Sequence, residues 1–280
     1  MALSLAQLGG PLGIAAEGLD FNRGLDGATA DLLRRALLER LVLCIRGQSL
    51  TAPAYREAMC VFGKPLPQVR AATRHPEVAE ITILSSEDRD ELGDGKRLIV
   101  GAHWHSDDSY KAVPCSLTML YAVAVPPSGG DTQFTNMYAA YDDLAPAMKQ
   151  RLAPLRVVHR YDSSRKGTRI ATLKAEEAAD LPEVTHPLVR THPETGRKAL
   201  YLNSNRMERI IGLRRAESDR LLDELAAHAT DPRYQYRHVW RQGDVLIWDN
   251  RCTMHKANGD YPEGARRLMQ RIIVEGSVPV

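Results

Sequence analysis

The sequence predicts a mainly β fold with flanking helices, arranged as a barrel or sandwich whose helices cover one side. Short runs rich in β-branched and aromatic residues recur along most of the chain, and Gly, Pro, Asp or charged clusters separate them at short spacing. The length, 280 residues at 44% hydrophobic and 26% charged, suits one large domain with a sizeable core, residues 1–280. Segments with helical period are few, so the helices flank the sheets and do not alternate with strands as in a parallel α/β fold.

Residues 26–41 place Leu32, Leu33, Ala36, Leu37 and Leu41 on one face of a helix that Asp26 or Thr29 can cap. The LVLCIR run then reads as a strand closed by Gly47, and Thr51 caps a second helix that reaches Phe62 and stops at Gly63. A third helix follows Asn136. A fourth covers residues 217–230, carries Leu221, Leu222, Leu225 and Ala226, and ends before Pro232. The remaining strand candidates are AEITIL, SLTMLYAVAV, DTQFT, LRVVHRY, VTHPLVRT, KALYL, YQYRHVW, DVLIWD and RLMQRIIVEG. Two polar segments, residues 85–96 and 161–182, read as long loops beside a functional site.

Composition excludes several classes of function. Thirty-seven basic against thirty-five acidic residues give a formal charge of +2, too balanced for a protein that wraps a polyanion, so nucleic acid is not the expected ligand. The longest apolar run, residues 117–127, falls far short of the roughly 20 residues of a membrane helix, and the N-terminal residues lack a charged leader. Cys44, Cys60, Cys115 and Cys252 are far apart, form no C-x-x-C, and suit reduced, buried thiols. A soluble cytoplasmic protein without a membrane partner is expected, and a homo-oligomer.

Of three H-x-[DE] triplets, His75-Pro76-Glu77 and His192-Pro193-Glu194 have a central proline, and the second continues into TGRK as hairpin-turn chemistry. His105-Ser106-Asp107 follows Leu98-Ile99-Val100 and Trp104 without a breaker. In an extended segment residues i and i+2 point the same way, so this triplet can offer an imidazole and a carboxylate to one point. A third ligand must come from elsewhere, and His255, just after the strand at residues 245–248, is the best candidate. Two histidines and a carboxylate on one face of a metal leave open positions, as in non-haem iron(II) oxygenases. Spacing alone leaves open the alternative of two separate half-buried histidines.

The surrounding motifs resemble the taurine/2-oxoglutarate dioxygenase (TauD/TfdA) family through nearly the whole chain. The similar blocks are GIAAEGLDF, CIRGQSLT, WHSDDSYKAVP, PPSGGDTQFTNMYAAYDDL, HPLVRTHPETGRKALYLN and GDVLIWDNRCTMHKANGDY followed by RRLMQR, in the family's order. The resemblance implies a double-stranded β-helix, or jelly roll, with iron(II) held by His105, Asp107 and His255. It implies dioxygen and 2-oxoglutarate as co-substrates, release of succinate and carbon dioxide, and hydroxylation of a small organic anion such as a carboxylate, sulfonate, sulfate ester or aryloxyalkanoate. The carboxylate of Asp107 implies hydroxylation over halogenation.

The same alignment implies an arginine for the distal carboxylate of 2-oxoglutarate, where a planar guanidinium donates two parallel hydrogen bonds. Arg267 matches, with Arg266 left open, and Thr132 of GGDT supplies a hydroxyl. By alternation Arg267, Met269 and Arg271 share one strand face. Arg271 matches the residue that reads the substrate's anionic group in the taurine enzyme. The histidine-rich stretch of that enzyme is replaced here by residues 64–70, which include Gln68 and Arg70, and Arg206 stands where it has an aromatic wall, so taurine is not the expected substrate. His103 lines the entrance. Asp249 and Asn250 read as organisers of the turn before His255, and Trp104 and Trp248 as core or as support behind the ligands, not as substrate wall. Two rival readings keep the same residues: a non-catalytic anion-binding barrel, and a zinc hydrolase.

Overall fold

The computed structural model describes residues 3–67, 70–167 and 170–280. At the N-terminus β1 (Ser4–Gln7) and β2 (Ile14–Glu17) form an antiparallel hairpin that the periodicity of the sequence does not reveal. The Asp26 carboxylate accepts from the Thr29 amide and starts α1 (Gly27–Arg40), which buries Leu33, Ala36 and Leu37 and leaves Leu32 half-buried. The chain turns through Leu41, at φ 65°, into β3 (Val42–Ile45). Thr51 caps α2 (Ala52–Cys60), which ends before the predicted Phe62.

Next come β4 (Pro65–Leu66), β5 (Thr82–Ser85), β6 (Leu117–Ala124) and β7 (Thr132–Asn136). Asn136 caps α3 (Met137–Asp142) as predicted, and an unforeseen α4 (Pro146–Leu152) precedes β8 (Arg156–His159). A short α5 (Ala175–Ala179) interrupts the second predicted loop. The VTHPLVRT run divides into β9 (Val184–Pro187) and β10 (Val189–Thr191), because its halves pair with different strands, β8 and β11 (Lys198–Leu200). The chain ends with β12 (Met207–Ile210), α6 (Arg215–Ala229), β13 (Gln235–His238), β14 (Val245–Asp249), β15 (Thr253–Ala257) and β16 (Leu268–Val274).

The large sheet runs in the order β1-β2-β3-β14-β6-β16-β4, with β5 also on β16, and only β2 and β3 pair in parallel. A second sheet, β13-β7-β15, packs against its inner face. Alternation along β14 sorts the core. Val245 and Ile247 join Leu33, Leu37, Tyr55 and Met59 of the helices in one cluster, while Leu246 and Trp248 join Phe134 and Met254 of the second sheet in the other. Among the described residues no ladder joins these two sheets, so the strands form facing layers and not a closed barrel.

No helix among the described residues is long and apolar enough to cross a membrane. The four cysteines are all free, but only Cys44, Cys115 and Cys252 are buried. Cys60 is half-exposed at the end of α2, a departure from the expectation for all four.

Candidate active site

His255, expected just after the strand at residues 245–248, lies within the next strand, in the middle of β15 at the edge of the three-stranded sheet. Its backbone pairs with His105. The His105 amide donates to the His255 carbonyl at 3.0 Å, and the His255 amide donates to the His105 carbonyl at 2.8 Å. The chain then bends through Asp108, at φ 56°, while the Ser106 hydroxyl donates to the Thr253 carbonyl and Asn203 Nδ2 donates to the Ser106 carbonyl. These bonds bring three side chains together. His105 Nε2 is 3.5 Å from Asp107 Oδ1, and His255 Nε2 is 3.6 Å from Asp107 Oδ2. All three residues are buried. Gly101, at φ 78°, leaves room for the His105 ring: a Cβ there would lie 3.0 Å from its Cε1.

Hydrogen bonding orients the His105 ring. Its Nδ1 is 2.7 Å from the His103 carbonyl, which can only accept, so Nδ1 carries a proton and Nε2 is the nitrogen turned toward Asp107. A histidine that gives one ring N–H to a backbone carbonyl and turns its other nitrogen to a shared point has the orientation of a metal ligand. Burial pushes the His255 pKa far below its ordinary value, which keeps its imidazole neutral beside the carboxylate. Burial pushes the Asp107 carboxyl up, but its charged and hydrogen-bonding neighbours, Arg271 among them, outweigh it and hold the group well below the usual carboxylate range. The residues therefore fit a divalent metal with two imidazole ligands and one carboxylate.

Two pockets meet at this cluster. The inner one runs from His105 and His255 past Trp248 to Thr132, Arg267 and Arg271. Arg267 Nε donates to the Gly130 carbonyl at 3.2 Å, and burial lowers its pKa. Gly130, at φ 72°, makes this approach possible, since a Cβ there would lie 3.3 Å from Arg267 Cδ. The indole of Trp240 donates to Thr132 Oγ at 3.0 Å. Because an indole N–H is a donor only, the threonine oxygen accepts, and its own hydrogen is left to donate elsewhere. Arg266 is exposed and lines neither pocket, because it falls on the opposite side of the strand leading into β16.

The outer pocket shares His105 and Arg271 with the inner one and adds Asp107, His103, Arg206 and Arg70. Arg271 Nη1 is 3.8 Å from Asp107 Oδ1. Arg206 lies over the rings of Tyr161 and Tyr110, 4.2 and 5.1 Å from their centroids, and donates to the Tyr161 carbonyl. The His103 ring is 4.6 Å from that of His105, and burial, with His105 and Arg206 nearby, pushes its pKa down to about 2. Gln68 lies outside the described residues. Both polar segments reach this pocket, through Asp88 and through Tyr161 and Leu173.

Sequence reasoning missed Tyr110, Tyr161, Trp240 and Asn203, which carry no spacing signal. It also underrated His192, whereas Asp249 organises the turn as expected, accepting from the Arg251 amide. His192, assigned to a turn, does close the β10–β11 hairpin, but its ring is buried and bonded to Asp249 at 3.0 Å. Asp249 in turn is gripped by Arg251 through both carboxylate oxygens, so it anchors the strand end and points away from the pockets.

Comparison with known proteins agrees with this geometry. The family described as taurine catabolism dioxygenase TauD, TfdA family matches residues 4–273. Pentalenolactone F synthase of Streptomyces arenae is 35% identical over 95% of this chain and 92% of its own length. The alpha-ketoglutarate-dependent 2,4-dichlorophenoxyacetate dioxygenase of Burkholderia sp. (strain RASC) is 34% identical over 85% of this chain and 82% of its own. A crystal structure of a taurine dioxygenase from Burkholderia xenovorans superposes with a TM-score of 0.85 at 31% identity, covering 99% of this chain and 91% of that one. A buried pair of imidazoles facing a carboxylate, set between two arginine-bearing pockets in a chain matched from end to end, thus leads to one conclusion: the chain belongs to the TauD/TfdA family and is an oxidoreductase, a 2-oxoglutarate-dependent dioxygenase that uses iron(II) and dioxygen.

Proposed function

We propose that this dioxygenase hydroxylates a small organic anion, releasing succinate and carbon dioxide, on a jelly-roll domain spanning the chain. His105, Asp107 and His255 hold the iron, which supplies the dioxygen chemistry when bound. The observation that carries the reading is the meeting of three side chains: His105, oriented by its Nδ1 bond to the His103 carbonyl, brings Nε2 within 3.5 Å of Asp107 Oδ1, and His255 Nε2 lies 3.6 Å from Asp107 Oδ2. Arg267 and the hydroxyl of Thr132 take the distal carboxylate of 2-oxoglutarate in the inner pocket. Arg271 faces both pockets and reads the substrate's anionic group in the outer one, where Arg206, Arg70 and the neutral His103 line the space around Tyr110 and Tyr161.

Water exclusion follows from the same arrangement. The outer pocket is roofed by residues of the segment after Tyr161, and Arg206 ties that segment to Tyr110 through ring contacts on both sides. A substrate seated there fills the space next to the metal ligands and keeps solvent from them. The protein acts in the cytoplasm as a homo-oligomer.

The test is a panel of carboxylates, sulfonates, sulfate esters and aryloxyalkanoates, with neutral and cationic analogues of matched size, assayed for succinate in the presence of iron(II), 2-oxoglutarate and ascorbate. Anions are expected to stimulate succinate formation and taurine is not. Arg271→Ala is expected to lose this stimulation while keeping most of its 2-oxoglutarate binding, because the two carboxylates have separate arginines. Preference for a neutral or cationic compound, or robust turnover of taurine, would show the pocket to be misread.

A further inference from the structure

Behind Asp107, on the side away from the histidines, lies a chain of three buried side chains from two strands and the turn that follows. Asn250 Oδ1 receives two N–H groups, the Asp107 amide at 3.2 Å and the Trp248 indole at 3.1 Å. Both are donors only, so this atom is the amide oxygen and the orientation of the Asn250 side chain is fixed. Its Nδ2 therefore faces the other way and donates to Thr118 Oγ at 2.8 Å. A hydroxyl has one hydrogen. With its oxygen accepting from Asn250, the Thr118 hydroxyl donates to Asp107 Oδ2 at 2.6 Å, a shorter contact to a stronger acceptor than the Cys115 sulfur at 3.9 Å. Thr118 is fully buried and Asn250 is 1% exposed, so solvent does not compete for these bonds.

We propose that Thr118 and Asn250 are positioning residues for the metal: together they set the rotation of the Asp107 carboxylate. The proposal rests on the reading of His105, Asp107 and His255 as the iron ligands. The register of the sheet explains why the relay exists. Thr118 is paired with Trp248 across β6 and β14, which sets the hydroxyl beside the end of β14 where Asn250 follows. Thr118 lies on the inner face of β6 with Leu120 and Ala122, between the residues Leu117, Met119 and Tyr121 that face the helices. A polar residue on an apolar face is paired here at every donor and acceptor, as burial requires.

The consequence is directional. A carboxylate bonded on one oxygen loses its freedom to rotate about χ2, so it keeps both oxygens toward the imidazoles, 3.5 and 3.6 Å away, before a metal arrives. Without the hydroxyl the group is free to turn toward Arg271, whose Nη1 lies 3.8 Å from Oδ1. Metal binding would then have to break that ion pair and restore the rotation. The expected loss in metal affinity falls in the range of about tenfold to a hundredfold found for partners that orient a metal ligand.

Mn(II) titration of the full-length protein, followed by the electron paramagnetic resonance signal of the free ion, tests this without turnover. Thr118→Val, which replaces the hydroxyl with a methyl of the same shape, is expected to weaken Mn(II) by about tenfold or more, whereas Thr118→Ser is expected to bind like the wild type. Asn250→Ala, which keeps the hydroxyl but removes the donor that fixes its direction, is expected to fall between them. The valine variant binding Mn(II) within about twofold of wild type would overturn the proposal, as would equal losses in the serine and valine variants. If Thr118→Val does not fold by circular dichroism, Asn250→Ala against Thr118→Ser decides by the same criterion. A wild-type protein that binds no Mn(II) would instead overturn the ligand assignment itself, an outcome separate from failure of the relay.

Discussion

The anaerobic protein with iron(II) and 2-oxoglutarate is expected to show a weak visible charge-transfer band, and His255→Ala is expected to abolish it completely. The size of the effect follows from the number of ligands. The cluster holds two imidazoles and one carboxylate, so each is a third of the protein's grip. The band requires a keto acid chelated to the metal, so it reports the ligand set independently of any substrate. Circular dichroism must show the variant folded, because the ring packs against Trp248 and Phe134 at centroid distances of 4.6 and 6.0 Å. Wild-type protein that binds both iron and 2-oxoglutarate yet shows no band would sink the ligand assignment.

The second large effect is expected at Arg267. Its guanidinium lies in the inner pocket, half-buried, with one bond to the Gly130 carbonyl and donors left for a carboxylate. Losing a charge-assisted pair in such a site typically costs about 2 to 5 kcal/mol. Arg267→Ala should therefore weaken 2-oxoglutarate by well over tenfold, since each factor of ten corresponds to about 1.4 kcal/mol. Arg266→Ala, a change on an exposed neighbour, is expected to leave affinity unaltered. Equilibrium titration of both variants with 2-oxoglutarate under anaerobic conditions measures the difference. The reverse pattern would shift the register of this segment by one residue and put Arg271 in doubt with it.

What the sequence reveals and what it hides follows from the distance over which each signal acts. Helix α1 is legible because period and cap, Asp26 with Leu33 and Leu37, lie within one segment. Strand β14 is legible for a similar reason, as an apolar run with breakers on both sides. Strands β1, β2, β4, β12 and β15 are short, and four of them carry charged or polar residues that mask alternation; β4, β12 and β15 pair with strands far away in the chain, and the β1–β2 hairpin docks on β3 through β2. The site divides in the same way. His105 and Asp107 are two residues apart and announce themselves, whereas His255 could be named from its place after a strand and from the resemblance, but the backbone pairing across 150 positions that joins it to His105 has no local signal. Thr118 lies in SLTML beside a second hydroxyl, Ser116, and nothing in that run singles it out. Its bond to Asp107 spans 11 residues and that from Asn250 spans 132, and no local pattern encodes either.

The reciprocal backbone bonds between His105 and His255 make the two imidazoles a single mechanical unit. Neither ligand can swing away on its own main chain without parting from the other, and the strand holding His255 is also zipped to β7 through the Phe134 register. The amide hydrogens of these two histidines are thus trapped by the same contact that keeps the ligands together. Deuterium enters them only when that contact opens, so the lifetime of two amide protons in heavy water sets a ceiling on how often the ligands separate. A slow isotope exchange at His105 and His255, even in metal-free protein, would mean that the cleft is kept in shape by the peptide backbone itself, and that iron comes and goes through a site that does not need to be rebuilt each time.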